Sequence, residues 1–449
     1  MRRDRLGLAL STASDAAAAA FEDAVAAYVG YRTDAQPHLA RALAADGDFA
    51  LAHCFGGYLA MLPFKAANLP LAADAARRAG ATMAKATPRE RAHLAALEAW
   101  IAGDLDRSLA IWDEIAAEFP ADLVAFRLAH FNNFWLGQSA AMRAAAERAL
   151  PAWDRAMPGY GTILSCLSFA SEECGDYRAA ERAGGAALET DPGDLWGVHA
   201  LAHVREMQGR SADGVAFLER HERHFAGGNN FVHHLWWHRA MFEMERRDVA
   251  AVLELYDRRF RNLASPLTEA APDLYIDVQN AASMLFRLER QGVAVGERWV
   301  EIADKAEQRI GDCLSAFTLP HWMMALAATG RDRAALQLLW AMREAGQGAG
   351  TVAELVRSVA LPVSAAVLAH RRGEHDSALA LLRPLLGAMH LLGGSHAQQD
   401  VLEQLFLDAA LKAGRGEDVR LALARARARY PMPPEQRVGY EEAARRFPS

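Results

Sequence analysis

A glycine returns between paired helical segments at Gly103, Gly137, Gly175 and Gly209, at intervals of 34, 38 and 34 residues. That period excludes most compact folds: each unit is one helical hairpin that cannot bury its apolar face alone and must stack on the next. The offsets around Gly103 suit such stacking. Ala96, seven residues before it, permits close helix contact; Trp112, nine after, fills the second helix; Pro120, seventeen after, opens the next boundary. Pro120-Ala121-Asp122-Leu123 and Pro192-Gly193-Asp194-Leu195 occupy matching boundaries. No strand alternation of useful length appears beside them.

These offsets match the tetratricopeptide (TPR) pattern, so the expected fold is all-α: a TPR-like, right-handed superhelical solenoid of about ten helical hairpins. It is read as one continuous solenoid over 1–449, with an N-terminal helical cap at 1–86, the most regular repeats at 87–245, and longer, divergent units at 246–449. In the cap, helices are predicted near 15–30 and 34–45, through the apolar stretch ended by Pro63, and from Leu69 to Gly80. Thr87-Pro88-Arg89-Glu90 predicts a sharp helix start, with threonine as cap, proline at the first helical position and Glu90 closing the capping box. The concave face of such a stack is the default place for a ligand.

Forty-five arginines and four lysines face 56 acidic residues, for a net charge of -7, which argues against nonspecific nucleic-acid binding. Cys54, Cys166, Cys174 and Cys313 are scattered without a CxxC spacing and read as small apolar side chains in a reducing compartment. Ser11, Thr12, Ser14 and Asp15 interrupt the N-terminal apolar run, so no signal peptide is expected; no 18-residue membrane span is evident. The expectation is a cytoplasmic protein with neither nucleic-acid nor membrane partner, compatible with a homodimer through an exposed apolar unit.

Between Asp194 and Glu245 lie seven of the 16 histidines: His199, His203, His221, His224, His233, His234 and His238. His199 and His203, four apart, share one helical face with Glu206, close to Trp196; His234 and His238 repeat the spacing around Trp236 and Trp237. If the two helices are neighbours, the polar lines converge on one pocket. His199 and His203 have ligand-compatible spacing for a metal, and His234 or His238 could supply another nitrogen. The sequence requires no cofactor, and a divalent metal is compatible with these donors. Without a metal, Glu206 or Asp277 could orient an imidazole for acid–base work. The alternative is that the rings are ordinary hydrogen-bonded groups between helices. HExxH, GxSxG, the P-loop and the dinucleotide fingerprint are all missing.

Asp277, Asn280 and Ser283 form a second polar line at helical spacing. His321 follows Pro320 at a helix start. Gly393-Gly394-Ser395 opens another helix, where the glycines allow tight approach, Ser395 can cap, and Gln398, Asp400 and Gln404 can reach a polar site.

Taken together, several stretches resemble the tetratricopeptide repeat protein 38 family: LAHFNNFWLG at 128–137, GYGTILSCLSFASEECGDY at 159–177, VHALAHVREMQGR at 198–210, NFVHHLWWHRAMFEME at 230–245, DVQNAASMLFRLE at 277–289, FTLPHWMMALAATGR at 317–331 and GGSHAQQDVLEQLFLDAAL at 393–411. The resemblance implies functional polar positions at His199, His203, Glu206, His234, His238, Asp277, Asn280, His321, Ser395, Gln398 and Asp400. Asn280 stands where the family often has aspartate, and Gln399 where it often has arginine. The first five are the candidate catalytic group. Trp196, Trp237, Asp277, Asn280, His321, Ser395, Gln398 and Asp400 are candidate ligand contacts.

Two functions fit. The first is a His-rich internal groove that binds a peptide, protein or small-molecule ligand. The alternative is a small-metabolite-processing enzyme, a metal-assisted or His/Glu acid–base hydrolase. An extended open groove favours binding; a closed pocket holding His199, His203, His234 and His238 favours turnover.

Overall fold

The computed structural model describes residues 2–448. After a short hairpin of β1 (Arg2–Arg3) and β2 (Ala9–Leu10), the described chain is helical. The first units are α1 (Asp15–Val29), α2 (Ala35–Ala45), α3 (Ala50–Met61), α4 (Leu69–Ala81), α5 (Pro88–Ile101), α6 (Leu105–Glu118), α7 (Leu123–Trp135) and α8 (Ser139–Ala149). Next come α9 (Tyr160–Glu173), α10 (Tyr177–Thr190), α11 (Leu195–Met207), α12 (Ser211–His221), α13 (Phe231–Glu245), α14 (Val249–Leu255), α15 (Pro266–Ala270), α16 (Tyr275–Arg290) and α17 (Arg298–Gln308). The last are α18 (Thr318–Ala328), α19 (Asp332–Ala345), α20 (Thr351–Leu355), α21 (Leu361–Arg371), α22 (His375–Leu382), α23 (His396–Lys412), α24 (Gly416–Arg429) and α25 (Glu441–Arg446). Successive helices pack as hairpins and stack on the following pair, forming a TPR-like α-solenoid.

Local chemistry explains the regularity. Aspartate recurs as the cap both inside hairpins and at unit boundaries: Asp104, Asp122, Asp176, Asp194 and Asp248 each accept a backbone N–H from the first turn of α6, α7, α10, α11 and α14. Each such cap contributes about 1 kcal/mol. Thr87 and Glu90 form the expected capping box at the start of α5. One contiguous apolar core runs from Leu10 to Ala444.

The stack closes on itself. Later units bind the earlier ones: Lys65 pairs with Asp273 at 2.8 Å, Ala66 N donates to Asp312 at 2.7 Å, and Val352 N donates to the Gly103 carbonyl at 3.3 Å. Farther along, His396 N donates to Glu173 and Val438 N to Glu245, both at 3.1 Å. Two glycines make the closure sterically feasible. A Cβ on Gly137 would lie 2.0 Å from the His390 carbonyl oxygen, and one on Gly393 2.4 Å from that of Trp135.

Two further differences from expectation stand out, beside one exposed apolar pair. Cys174 is exposed, while Cys54, Cys166 and Cys313 are buried. The run Thr351–Arg371, through a π-helical turn at Val356–Ala360, is long and apolar enough to cross a membrane by length and composition. It packs against α18, α19 and α22, so neighbouring helices answer much of its apolarity. On the outer face, Leu336 and Trp340 of α19 are exposed one turn apart.

Candidate functional site

α11 and α13 have almost no exposed face, since most of their residues are buried, and they pack directly on each other. The histidines four apart on each helix therefore meet inside the protein. Ring centroids are 4.4 Å apart for His199–His203 and His203–His238, 4.7 Å for His234–His238, 5.0 Å for His199–His234 and 5.1 Å for His199–His238. One ring nitrogen from each of the four lies within 4.8 Å of one from every other, and all four residues are buried. The Nε2 atoms of His199 and His203 are 3.0 Å apart. At this separation one ring N–H can donate to the other ring's bare nitrogen.

The outer nitrogens are held by neighbouring helices. His234 Nδ1–H donates to Asn280 Oδ1 at 2.9 Å, and His238 Nδ1 lies 2.7 Å from Glu206 Oε2. An amide oxygen can only accept, so this bond fixes the His234 tautomer that leaves Nε2 bare. Glu206 serves His238 in the same way when ionised, an arrangement typical of metal-ligating histidines. His203 Nδ1 lies 3.7 Å from Glu172 Oε2. Burial, with the mutual proximity of the rings, holds His199 and His203 well below the ordinary histidine range, and His238 is lowered to about 3 by burial. Burial and His238 likewise depress His234, against its bond to Asn280. Neutral imidazoles are the form a metal takes. His199 Nδ1, His203 Nδ1 and His238 Nε2 have no hydrogen-bond partner. Such buried, unpaired polar atoms are costly.

Beside this centre is a group that sequence reasoning missed: Glu172 and Glu173 at the end of α9, with His396 at the start of α23. One donor from each lies within 4.8 Å of the others. Both oxygens of buried Glu172 lack a partner. Its burial, then the adjacent Glu173, pushes its carboxyl well above the usual range. Burial also pushes Glu206 up to about 8. A cation here would favour both carboxylate forms. The two clusters are geometrically consistent with divalent-metal binding. The Glu-Glu pair in an otherwise apolar helix was a usable signal; its approach to His396, more than two hundred residues away, was not.

A cavity touches the opposite edge of the four-histidine centre. His199 and His234 line it with Tyr31, Arg127, His130, Trp196, Phe231, Tyr275 and Gln398. The space open to the centres of water-sized groups is about 50 Å³. A larger cavity of about 380 Å³ is lined by α1, residues 157–159 and the first turn of α9, but none of the clustered histidines lines it. Of its charged groups, Arg89 and Asp122 are paired with each other at 2.7 Å, while Asp4, Arg5, Glu22, Asp191 and Asp194 also line it.

The other candidate residues spread outward from the centre. Trp237 stacks on His234 at 5.2 Å, and Trp196 lies 4.6 Å from His199. Asn280 supports His234, whereas Asp277 accepts from His233 at 3.0 Å and from Asn230 at 2.8 Å. His321 donates to the Phe317 carbonyl at 2.8 Å within its own helix. Ser395 and Gln398 cap each other's backbone at the start of α23, and Gln398 also lines the cavity. Asp400 is taken up by Arg437, Tyr440 and Gln404. His221 contacts the Phe217 carbonyl, and neither it nor His224 joins the four.

The sequence matches no known family model. Among solved structures, a monomeric mutant of IFIT1 with Gppp-AAAA is similar to this chain at 14% identity, covering 95% of this chain and 99% of that one, with a TM-score of 0.35.

Proposed function

We propose that this protein is a metal-dependent enzyme that processes a small metabolite in an enclosed cavity. The observation that carries the reading is the convergence of four buried, neutral imidazoles, two of which, His234 and His238, are held through Nδ1 by Asn280 and Glu206. His199, His203, His234 and His238 would hold the ion; an all-imidazole set suits zinc, iron, copper or nickel. When bound, the metal would supply Lewis-acid polarisation of a substrate oxygen. The protein's own part is to hold His234, and His238 when Glu206 is ionised, in the tautomer with a bare Nε2, to exclude bulk water, and to position the substrate at the His199 and His234 edge. Glu206 and Glu172 are the carboxylates available to hold or move a proton, each next to one of the four rings. The motif-level resemblance to the tetratricopeptide repeat protein 38 family fits this reading, since its recurrent polar residues exceed what repeat packing needs. A peptide-binding function is less well supported, because the four rings are buried and do not line an open groove.

Elemental analysis of protein purified without chelator tests the proposal. We expect about one equivalent of a transition metal in the wild type and loss of nearly all of it in His199→Ala and His203→Ala, with helical circular dichroism unchanged. Metal-free wild-type protein that takes up none of zinc, iron, copper or nickel would remove the basis of the assignment.

A further inference from the structure

Six arginines are buried: Arg89, Arg127, Arg261, Arg287, Arg309 and Arg437. Five of them have a carboxylate within 4.0 Å, namely Asp122, Glu301, Asp400, Asp273 and again Asp400. Among the described residues, Arg127 alone has none. Its guanidinium sits over Trp196 at 4.7 Å and Tyr31 at 5.4 Å and donates to the Tyr31 hydroxyl. A permanently charged group in an apolar interior is expensive unless an anion or a full set of hydrogen bonds compensates it. Aromatic faces and one phenol supply only part of that. Arg127 also lines the cavity whose far wall is His199 and His234.

We propose that this cavity is the binding site of a small monocarboxylate, held by Arg127 with its other end at His199 and His234. The planar guanidinium matches a carboxylate in two parallel hydrogen bonds and supplies the missing counter-charge. Size narrows the class. A water-sized group needs about 10–15 Å³ of such space, so about 50 Å³ admits three or four of them, as in formate or acetate. A peptide or nucleotide does not fit. Trp196, Phe231 and Tyr275 give the apolar body of an acetate-like molecule its surroundings. That the far end is the reacting end rests on the metal-dependent reading above; the Arg127 contact does not.

The experiment is ligand-observed NMR with carbon-13 acetate, its neutral isostere acetamide and inorganic phosphate, on chelator-treated and on zinc-supplemented full-length protein. We expect acetate to bind at least about ten-fold more tightly than acetamide in both preparations. Arg127→Met should abolish that preference, and Arg127→Lys should keep part of it. Equal binding of acetate and acetamide, tighter binding of phosphate than acetate, or an unchanged acetate affinity in folded Arg127→Met would each overturn the proposal. Should Arg127→Met fail to fold, the three-ligand comparison on wild-type protein decides alone. Acetate preference without metal uptake removes the metal reading and leaves this one standing; metal uptake without acetate preference does the reverse.

Discussion

His93 and His203 are equally buried, yet their surroundings are opposite. His93 Nδ1 lies 3.2 Å from the Tyr58 hydroxyl, and its Nε2 lies 3.0 Å from Asp122, which also binds Arg89 and caps α7. Each polar atom of that ring has a partner, so it is a structural histidine tying two units together. His203 instead faces three other imidazoles and leaves Nδ1 unpartnered. Burial alone therefore does not mark a functional histidine. What separates the two rings is unmet hydrogen-bonding capacity, concentrated where several imidazoles converge.

That contrast can be broken from the structural side first. Asp122→Asn should cost about 3–5 kcal/mol in urea unfolding, because it strands buried Arg89, while leaving metal content unchanged. The same aspartate sets an acid limb. Burial opposes its ionisation, but His93 and Arg89 override that and hold the carboxyl below the usual range. A depressed folded pKa means that the contribution is full above the unfolded value of about 3.9 and is lost as pH falls through the folded value. Stability of the wild type should therefore drop below about pH 4, and Asp122→Asn should lack that part of the drop. A mutant as stable as wild type at neutral pH would erase the distinction.

The next effect sharpens the other side. Glu206→Ala frees His238 to adopt the wrong tautomer and should weaken metal binding by about 10–100-fold, read by competition with a chromophoric chelator, with little change in unfolding midpoint. A large stability loss with intact metal affinity would make Glu206 structural, like Asp122. The smallest effect concerns Ser395. As a cap, its replacement by alanine should cost about 1 kcal/mol and leave metal content and acetate binding as in the wild type; loss of acetate binding with unchanged stability would assign it to the cavity instead.

Local signals were legible where they act within a few residues. The Thr87–Glu90 capping box, the aspartates at the Pro-x-Asp-Leu boundaries and the 34-residue period all express backbone hydrogen-bonding needs that sequence displays directly. The four histidines were legible for a related reason: spacing of four on a helix forces one face, and consecutive hairpins place α11 beside α13. Arg127, Glu172 and His396 were not. Their importance lies in what does or does not stand opposite them, and that is set by units far away in the chain.

The sequence by itself determined the hairpins, their stacking and the two polar lines of α11 and α13, because 3.6-residue periodicity, caps and nearest-neighbour packing are local properties. Only the tertiary structure decided that the solenoid closes on itself. Contacts such as Gly137 with His390 and Glu173 with His396 join residues more than two hundred positions apart, and small rotations accumulated over many units determine whether they meet. That closure buries the four imidazoles together and leaves Arg127 without a carboxylate within 4.0 Å, so it decides between the open groove and the closed pocket that the sequence alone left as alternatives.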